Sequence, residues 1–240
     1  FEVVRERATT AVVDGHNGMG HAIGKRCMQL AIDKAREHDL GAVALQRSAH
    51  IGRLGEYVVV AAEHNMMGLM FCNGTARGGI VAPFGGRARA LGSNPIAWAV
   101  PGPERPIFLD YSTSVCAQGK IQVAADKEEE IPEGWLLDKQ GRPTRNPRDQ
   151  FDGGVLLPFG GHKGYALGVL VELVAGGLSG AGAALLPNYT RDQGTVMMAV
   201  NIAAFQSPQA FREMTAEFAA QLRKTPCLSE NGEILIPGEP

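Results

Sequence analysis

"AVVDGHNGMGHAIGKRCMQLAIDKA", Ala11 to Ala35, passes from a short apolar run through a cluster of glycines into a stretch with the spacing of an amphipathic helix. Its reading decides the fold, because a dinucleotide-binding βαβ unit opens in the same way. That fingerprint needs Gly at positions one, three and six, for a tight turn, close approach to a pyrophosphate, and packing of helix on strand. The glycines here are Gly15, Gly18, Gly20 and Gly24, and no three of them have that spacing. An acidic residue about 20 positions further on should hold a ribose hydroxyl. Instead, the next strand-like run, "GAVALQRSAH", ends in Arg47, Ser48 and His50. The stretch therefore reads as a tight strand-to-helix turn, and any nucleotide would bind elsewhere.

Outward from this turn the chain alternates. Ala11 to Val13 read as a strand, Gly18 to His38 as a helix, Gly41 to Gln46 as a buried strand and Arg53 to His64 as a helix. "GLMFCN" is the next strand, followed by a glycine-rich span, residues 74–92, unsuited to a helix interior. "NPIAWAVP" and "RPIFLDYS" are joined by a Pro-Gly-Pro turn, which predicts antiparallel pairing. Thr113 to Ala125 are expected to be a helix capped by Ser112 or Thr113, and "GWLLDKQGRPT" a surface edge excursion. "LPFGGHKGYALGVLVELVAGGLSGAG" leads into an apolar helix, "TVMMAVNIAAF" is a buried strand, Ser207 to Lys224 a helix and "EILIPGEP" a last strand. Hairpin-like pairs interrupt the alternation, so the expected class is α/β, with a mixed, partly antiparallel sheet flanked by helices.

Of 240 residues, 45% are hydrophobic and 20% are charged, with a formal net charge of -2, which suits a globular protein and gives no electrostatic reason to expect nucleic acid or an anionic membrane as partner. Cys27, Cys72, Cys116 and Cys227 form no C-x-x-C pair, so a zinc site or disulfide framework is poorly supported and a reducing, cytoplasmic compartment is expected.

Several residues invite chemistry. His50 follows a buried strand, with Ser48 and Arg53 nearby, where α/β proteins collect functional loops and an imidazole can exchange a proton near neutral pH; a hydrogen-bonded surface or cap histidine has the same appearance. "LPFGGHKGY" sets Gly160, Gly161 and Lys163 at a helix start, the ingredients of an anion site or of a glycine-lined approach of helix to sheet. Asn94, ahead of Pro95, cannot continue a helix, which frees its amide and the Ser93 hydroxyl to face a ligand. Asp110 and Lys120 offer an acid and a cation at one sheet edge. Glu172, inside so apolar a run, needs a partner or solvent.

In order, "DGHNGMG", "SAHIGRLGEY", "APFGG", "GSNPIAWAVP", "LDYSTSVCAQGKI", "IPEGW", "LPFGGHKGYAL", "GGLSGAG" and "PGE" resemble the malate/L-lactate dehydrogenases of the non-Rossmann, sulfolactate dehydrogenase-like type. The resemblance implies a non-Rossmann fold that binds NAD or NADP, and hydride transfer between nicotinamide and a 2-oxo or 2-hydroxy acid. Ile51, Gly52, Arg53 and Leu54, then Asp110, Tyr111 and Ser112, then Gly160, Gly161 and Lys163, and finally Gly238 and Glu239 are implied to line the cofactor. Ser93, Asn94 and Lys120 are implied on the substrate side, His50 as the acid/base, and no metal. Lys120 stands where some imine reductases of the family carry Asp, which favours a malate- or lactate-like substrate. Residues 1–240 are expected to form one continuous unit, mainly the cofactor-binding core of a longer homodimeric subunit. That core would lack the family's C-terminal tail and its N-terminal helical segment, whose own His and Arg serve catalysis in relatives. A non-redox nucleotide-binding module, or an inactive fragment of such an enzyme, is the alternative, and it would not need His50.

Overall fold

Every third or fourth residue of α1 (Gly20–His38), from Ile23 through Cys27, Met28, Ala31 and Ile32 to Ala35, is buried, and this stripe fixes the helix on a sheet. In this computed structural model, which describes residues 1–74, 78–187, 189, 193–229 and 232–239, the sheet has seven strands. They are β1 (Glu2–Glu6), β2 (Thr10–Gly18), β3 (Leu40–Ser48), β4 (Met66–Cys72), β5 (Ile96–Val100), β6 (Ile107–Tyr111) and, numbered after three short strands, β10 (Thr195–Asn201). Their order is β1-β2-β3-β10-β4-β5-β6, and only β2 and β3 run parallel, so the sheet is mixed and mostly antiparallel, as expected. Late in sequence, β10 lies in the middle, with Met197 opposite Val43 on one side and Met70 on the other.

α1 and α2 (Gly55–Glu63) cover one face, where Cys27, Met28, Leu45, Tyr57, Met70 and Met197 share the main core. On the opposite face Phe71 packs with Val171 and Ala175, from α4 (His162–Val171) and the π-helical segment Glu172–Gly177 that continues it. A second core, Ile80, Val81, Cys116, Ile121, Ile131, Leu136 and Leu156, sits below a small sheet of β7 (Leu136–Leu137), β8 (Pro143–Thr144) and β9 (Val155–Leu156). The "GWLLDKQGRPT" stretch is thus part of this separate sheet, not an edge excursion of the main one. α5 (Pro208–Arg223) is capped by Ser207, whose hydroxyl accepts from the Ala210 N–H.

Two expectations are corrected. α3 (Gln118–Lys127) begins later than Thr113, with Ala117 before it and no side-chain cap, because Ser112 and Ser114 bond each other and Ser114 bonds the Cys116 carbonyl. Among the described residues, "EILIPGEP" forms no strand. Pro237 has no N–H to extend a ladder, Gly238 takes φ +97°, and the bond from Phe108 N–H to the Pro237 carbonyl joins the segment to β6. Among the described residues, no helix is long and apolar enough to cross a membrane.

Candidate active site

The glycines of the opening stretch act through contact. A Cβ on Gly20 would lie 2.3 Å from the Ala49 carbonyl oxygen and 2.4 Å from that of His50, and one on Gly24 would meet Tyr57 at 2.9 Å. Without side chains there, the start of α1 presses against the loop between β3 and α2, the loop that carries His50 to Leu54. Tyr57, fully buried, donates from its hydroxyl to the Ile51 carbonyl at 2.5 Å, and its burial pushes the phenol up to about 12. From the far side Gln193 accepts from the Ile51 N–H at 2.8 Å. Both backbone groups of Ile51 are therefore held.

Next to this loop the segment before β5, β6, the turn into α3 and the tail segment line a cleft of about 960 Å³. Arg53, Ser93, Asp110, Tyr111, Ser112, Lys120 and Gly238 all line it, together with Phe108, Phe159, Cys116 and Pro237. Asp110 Oδ2 accepts from the Gly55 N–H at 2.7 Å, so this carboxylate from β6 caps the first turn of α2, where the helix dipole favours negative charge. Burial nonetheless holds its carboxyl above the usual carboxylate range, with the Gly55 N–H and the Arg53 charge working against that rise. Tyr111 and Phe159 meet edge to face at 5.4 Å. At Gly238 a Cβ would come within 2.6 Å of the Phe108 ring, so the backbone itself forms that wall.

The remaining candidates are placed differently. His50 is exposed, three residues before Arg53, and does not line the cleft; its Nδ1 is 3.2 Å from Gln193 Nε2, and its ring meets that of His21 edge to face at 6.4 Å. Ile51 and Leu54 are core residues, and Gly52 packs against the His21 ring at φ +73°. Asn94 is turned inward: it is fully buried at φ 44°, and its amide donates to the Gly168 carbonyl and to Glu172, so it does not face a ligand as expected. Glu172 has the partners its sequence context demanded, since its two oxygens accept from Gly92 N–H, Asn94, Asn73 and Ala184 N–H. These bonds hold the loop whose middle residue, Ser93, lines the cleft.

Gly160 and Gly161 take φ +56° and +62° in the turn before α4, and Gly164 allows the Phe159 carbonyl to approach to 2.1 Å of a Cβ position. Lys163 is exposed beside them. Glu239 faces a neighbouring groove, where it pairs with Arg223 and accepts from the Ile236 N–H, which together hold its carboxyl below the usual range. Sequence reading missed Gln193, His21, Phe159 and Pro237. Among the described residues no three His, Cys, Asp or Glu side chains cluster as metal ligands.

A phosphate-bearing organic cofactor suits the cleft: it offers two cations, Arg53 and Lys120, the Ser93 and Ser112 side chains, and apolar walls. Its volume is within the roughly 300–1,000 Å³ usual for small-molecule sites.

The family model described as malate/L-lactate dehydrogenase matches residues 1–240, the whole chain. The chain belongs to the malate/L-lactate dehydrogenase family. Within it, the chain is 37% identical over 250 residues to a malate dehydrogenase of Pyrococcus abyssi, covering 100% of this chain and 68% of that protein. It is 38% identical over 243 residues to an L-sulfolactate dehydrogenase of Methanothermobacter thermautotrophicus, covering 99% and 68%. Among solved structures, the sulfolactate dehydrogenase of Methanocaldococcus jannaschii superposes with a TM-score of 0.86 at 36% identity, covering 99% of this chain and 69% of that one. These relatives are dehydrogenases of hydroxy acids.

Proposed function

We propose that this chain is an NAD(P)-linked oxidoreductase that interconverts a 2-oxo acid and a 2-hydroxy acid of malate or lactate type. The observation that carries this reading is the cleft, where residues from five separated segments converge: the side chains of Arg53, Ser93, Asp110 to Ser112 and Lys120, and the backbone at Gly238. Kinship with malate and sulfolactate dehydrogenases supports the substrate class.

Reduction adds a hydride at the substrate's carbonyl carbon and a proton at its oxygen; a bound nicotinamide would supply the hydride. Arg53 and Lys120 pair with phosphate or carboxylate, since a guanidinium can grip either in bidentate fashion. Asp110 accepts hydrogen bonds from hydroxyl groups beside the α2 terminus. Tyr111 and Phe159 exclude water from the wall they share. Ser93 and Lys120 contact substrate, and the His50 imidazole acts at the carbonyl oxygen, where negative charge develops. Lys163, with Gly160 and Gly161, adds positive potential at the start of α4. Homodimers are part of the same reading, supported by Leu170, Leu173 and Leu178, which lie exposed along α4 and its continuation; a cytoplasmic location is supported by four free thiols.

The test is fluorescence titration with NADH and NADPH in parallel, repeated with pyruvate, oxaloacetate and a bulkier 2-oxo acid while nicotinamide absorbance is followed. Binding with oxidation by one acid is expected; binding of neither nucleotide overturns the reading. Nucleotide binding that persists without turnover by any of the acids favours a binding module.

A further inference from the structure

Gln193 and Ile51 are 142 residues apart in sequence, yet one amide side chain contacts both Ile51 and His50. The Ile51 N–H can only donate, so the amide atom facing it at 2.8 Å is the oxygen. The other arm of the amide is then the NH₂ group, which can only donate, and it faces His50 Nδ1 at 3.2 Å. Nδ1 therefore accepts, and in the neutral ring the hydrogen resides on Nε2. The frame that dictates this choice is rigid: Ile51 is 1% exposed, its carbonyl is held by Tyr57, and Gly52 is packed on the His21 ring.

We propose that Gln193 is a positioning residue that fixes His50 as the neutral Nε2–H tautomer, so that His50 acts as a hydrogen-bond donor to an oxygen of the ligand and exchanges no proton with it. A ring in this state has no lone pair at Nε2 to serve as a base. It also holds its Nε2 hydrogen too firmly to release it as an acid. What it offers is a fixed N–H dipole at Nε2, available to an oxyanion or carboxamide oxygen before charge develops there. This departs from the acid/base role expected of His50 from sequence; the proton that reduction adds at the substrate oxygen is then drawn from water, and returned to water in the reverse direction. It rests on the proposed dehydrogenase reading only for the identity of the ligand oxygen; the tautomer itself stands on the three hydrogen-bonded groups.

The experiment is ring ¹⁵N NMR of the full chain labelled at histidine, at a pH well above the imidazole range, with the His50 signals identified by their loss in His50→Asn. Free neutral imidazole already prefers Nε2–H, so the deciding variant is Gln193→Glu. Its carboxylate still accepts from the Ile51 N–H, but presents a second acceptor to Nδ1. The wild type is expected to show Nε2–H alone, and Gln193→Glu to move the hydrogen to Nδ1. Gln193→Ala should relax to the tautomer mixture of the free ring, with turnover reduced chiefly in kcat. An Nδ1–H wild type, or a tautomer indifferent to Gln193→Glu, overturns the proposal. Because the spectrum is read without substrate, a wild type that shows the tautomer but turns over no 2-oxo acid counts against the dehydrogenase reading and leaves the role of Gln193 in place.

Discussion

Replacing Glu172 by Gln tests whether a buried carboxylate holds the cleft's loop. In the native protein Oε1 accepts from Gly92 N–H at 3.0 Å and Asn94 Nδ2 at 3.1 Å, while Oε2 accepts from Asn73 Nδ2 at 2.9 Å and Ala184 N–H at 3.3 Å. Glu172 is 3% exposed, so water cannot replace a lost acceptor. Glutamine keeps one oxygen and turns the other into an NH₂ group facing two donors. Two hydrogen bonds to a charged group, at about 1.5–3 kcal/mol each, are then lost, about 3–6 kcal/mol together. That is a large part of a typical total stability of about 5–15 kcal/mol. For a chain of this size, at about 2–4 °C per kcal/mol, it corresponds to a fall in Tm of roughly 6–24 °C. Urea and thermal unfolding followed by circular dichroism at neutral pH measure it. A variant that melts within about 2 °C of wild type would refute the acceptor-only account of Glu172.

Gly20→Ala should leave α1 helical yet push the Ala49–His50 carbonyls by about 1 Å, and a misplacement of that size costs on the order of 10²-fold in turnover; unchanged kcat would show that the loop yields freely. Asp110→Asn should keep the Gly55 bond while lowering nucleotide affinity in titration. Because the native carboxyl is raised, its contribution to stability is complete below the ordinary carboxylate range and lost as pH rises through the folded value, so the wild-type melting temperature should fall relative to the variant's across that window. Arg47→Met has the opposite sign. The Arg47 guanidinium beside Asp14 lowers that carboxyl, so the variant's deficit, about 1–3 kcal/mol at neutral pH, should disappear as pH falls through the folded value of Asp14. Of the four thiols, Cys227 is exposed, whereas burial pushes Cys27 and Cys72 up to about 12 and Cys116 to about 11. Maleimide labelling of native protein, read by mass spectrometry, should therefore modify Cys227 first and the other three only on unfolding.

The α1–β3–α2 core was legible because its apolar residues recur with clear period, and the β5–β6 hairpin because its Pro-Gly-Pro turn dictates antiparallel return. β1 escaped notice because all five of its residues are exposed, leaving no alternation to read; it is held by pairing to β2 and by Lys34, whose ammonium reaches Glu6 and the Arg7 carbonyl. The glycines of the opening stretch were rightly separated from a dinucleotide fingerprint, but that Gly20 clears space for carbonyls of the β3–α2 loop, and Gly24 for the Tyr57 ring, depends on contacts no local pattern encodes. Asp110 to Ser112, Lys120 and Gly238, far apart in sequence, converge in one cleft, a proximity that no local pattern encodes. Asn94 did not follow its local signal, because Glu172, remote in sequence, claims its amide. Gln193 carried no local signal at all, since its role exists only once β10 brings it beside the His50 loop.

The central position of β10 has a kinetic meaning for synthesis. β3 and β4 each pair with it, so until residues 195–201 emerge, both strands leave an unpaired apolar edge where Met197 will later sit fully buried. At roughly 5–20 residues per second, the nascent chain spends on the order of ten seconds between making β4 and making the strand that joins the two halves. During that interval the half-sheets present open edges of the kind that pair with other chains, so yield in the cell should depend on how quickly the ribosome delivers residues 73–201.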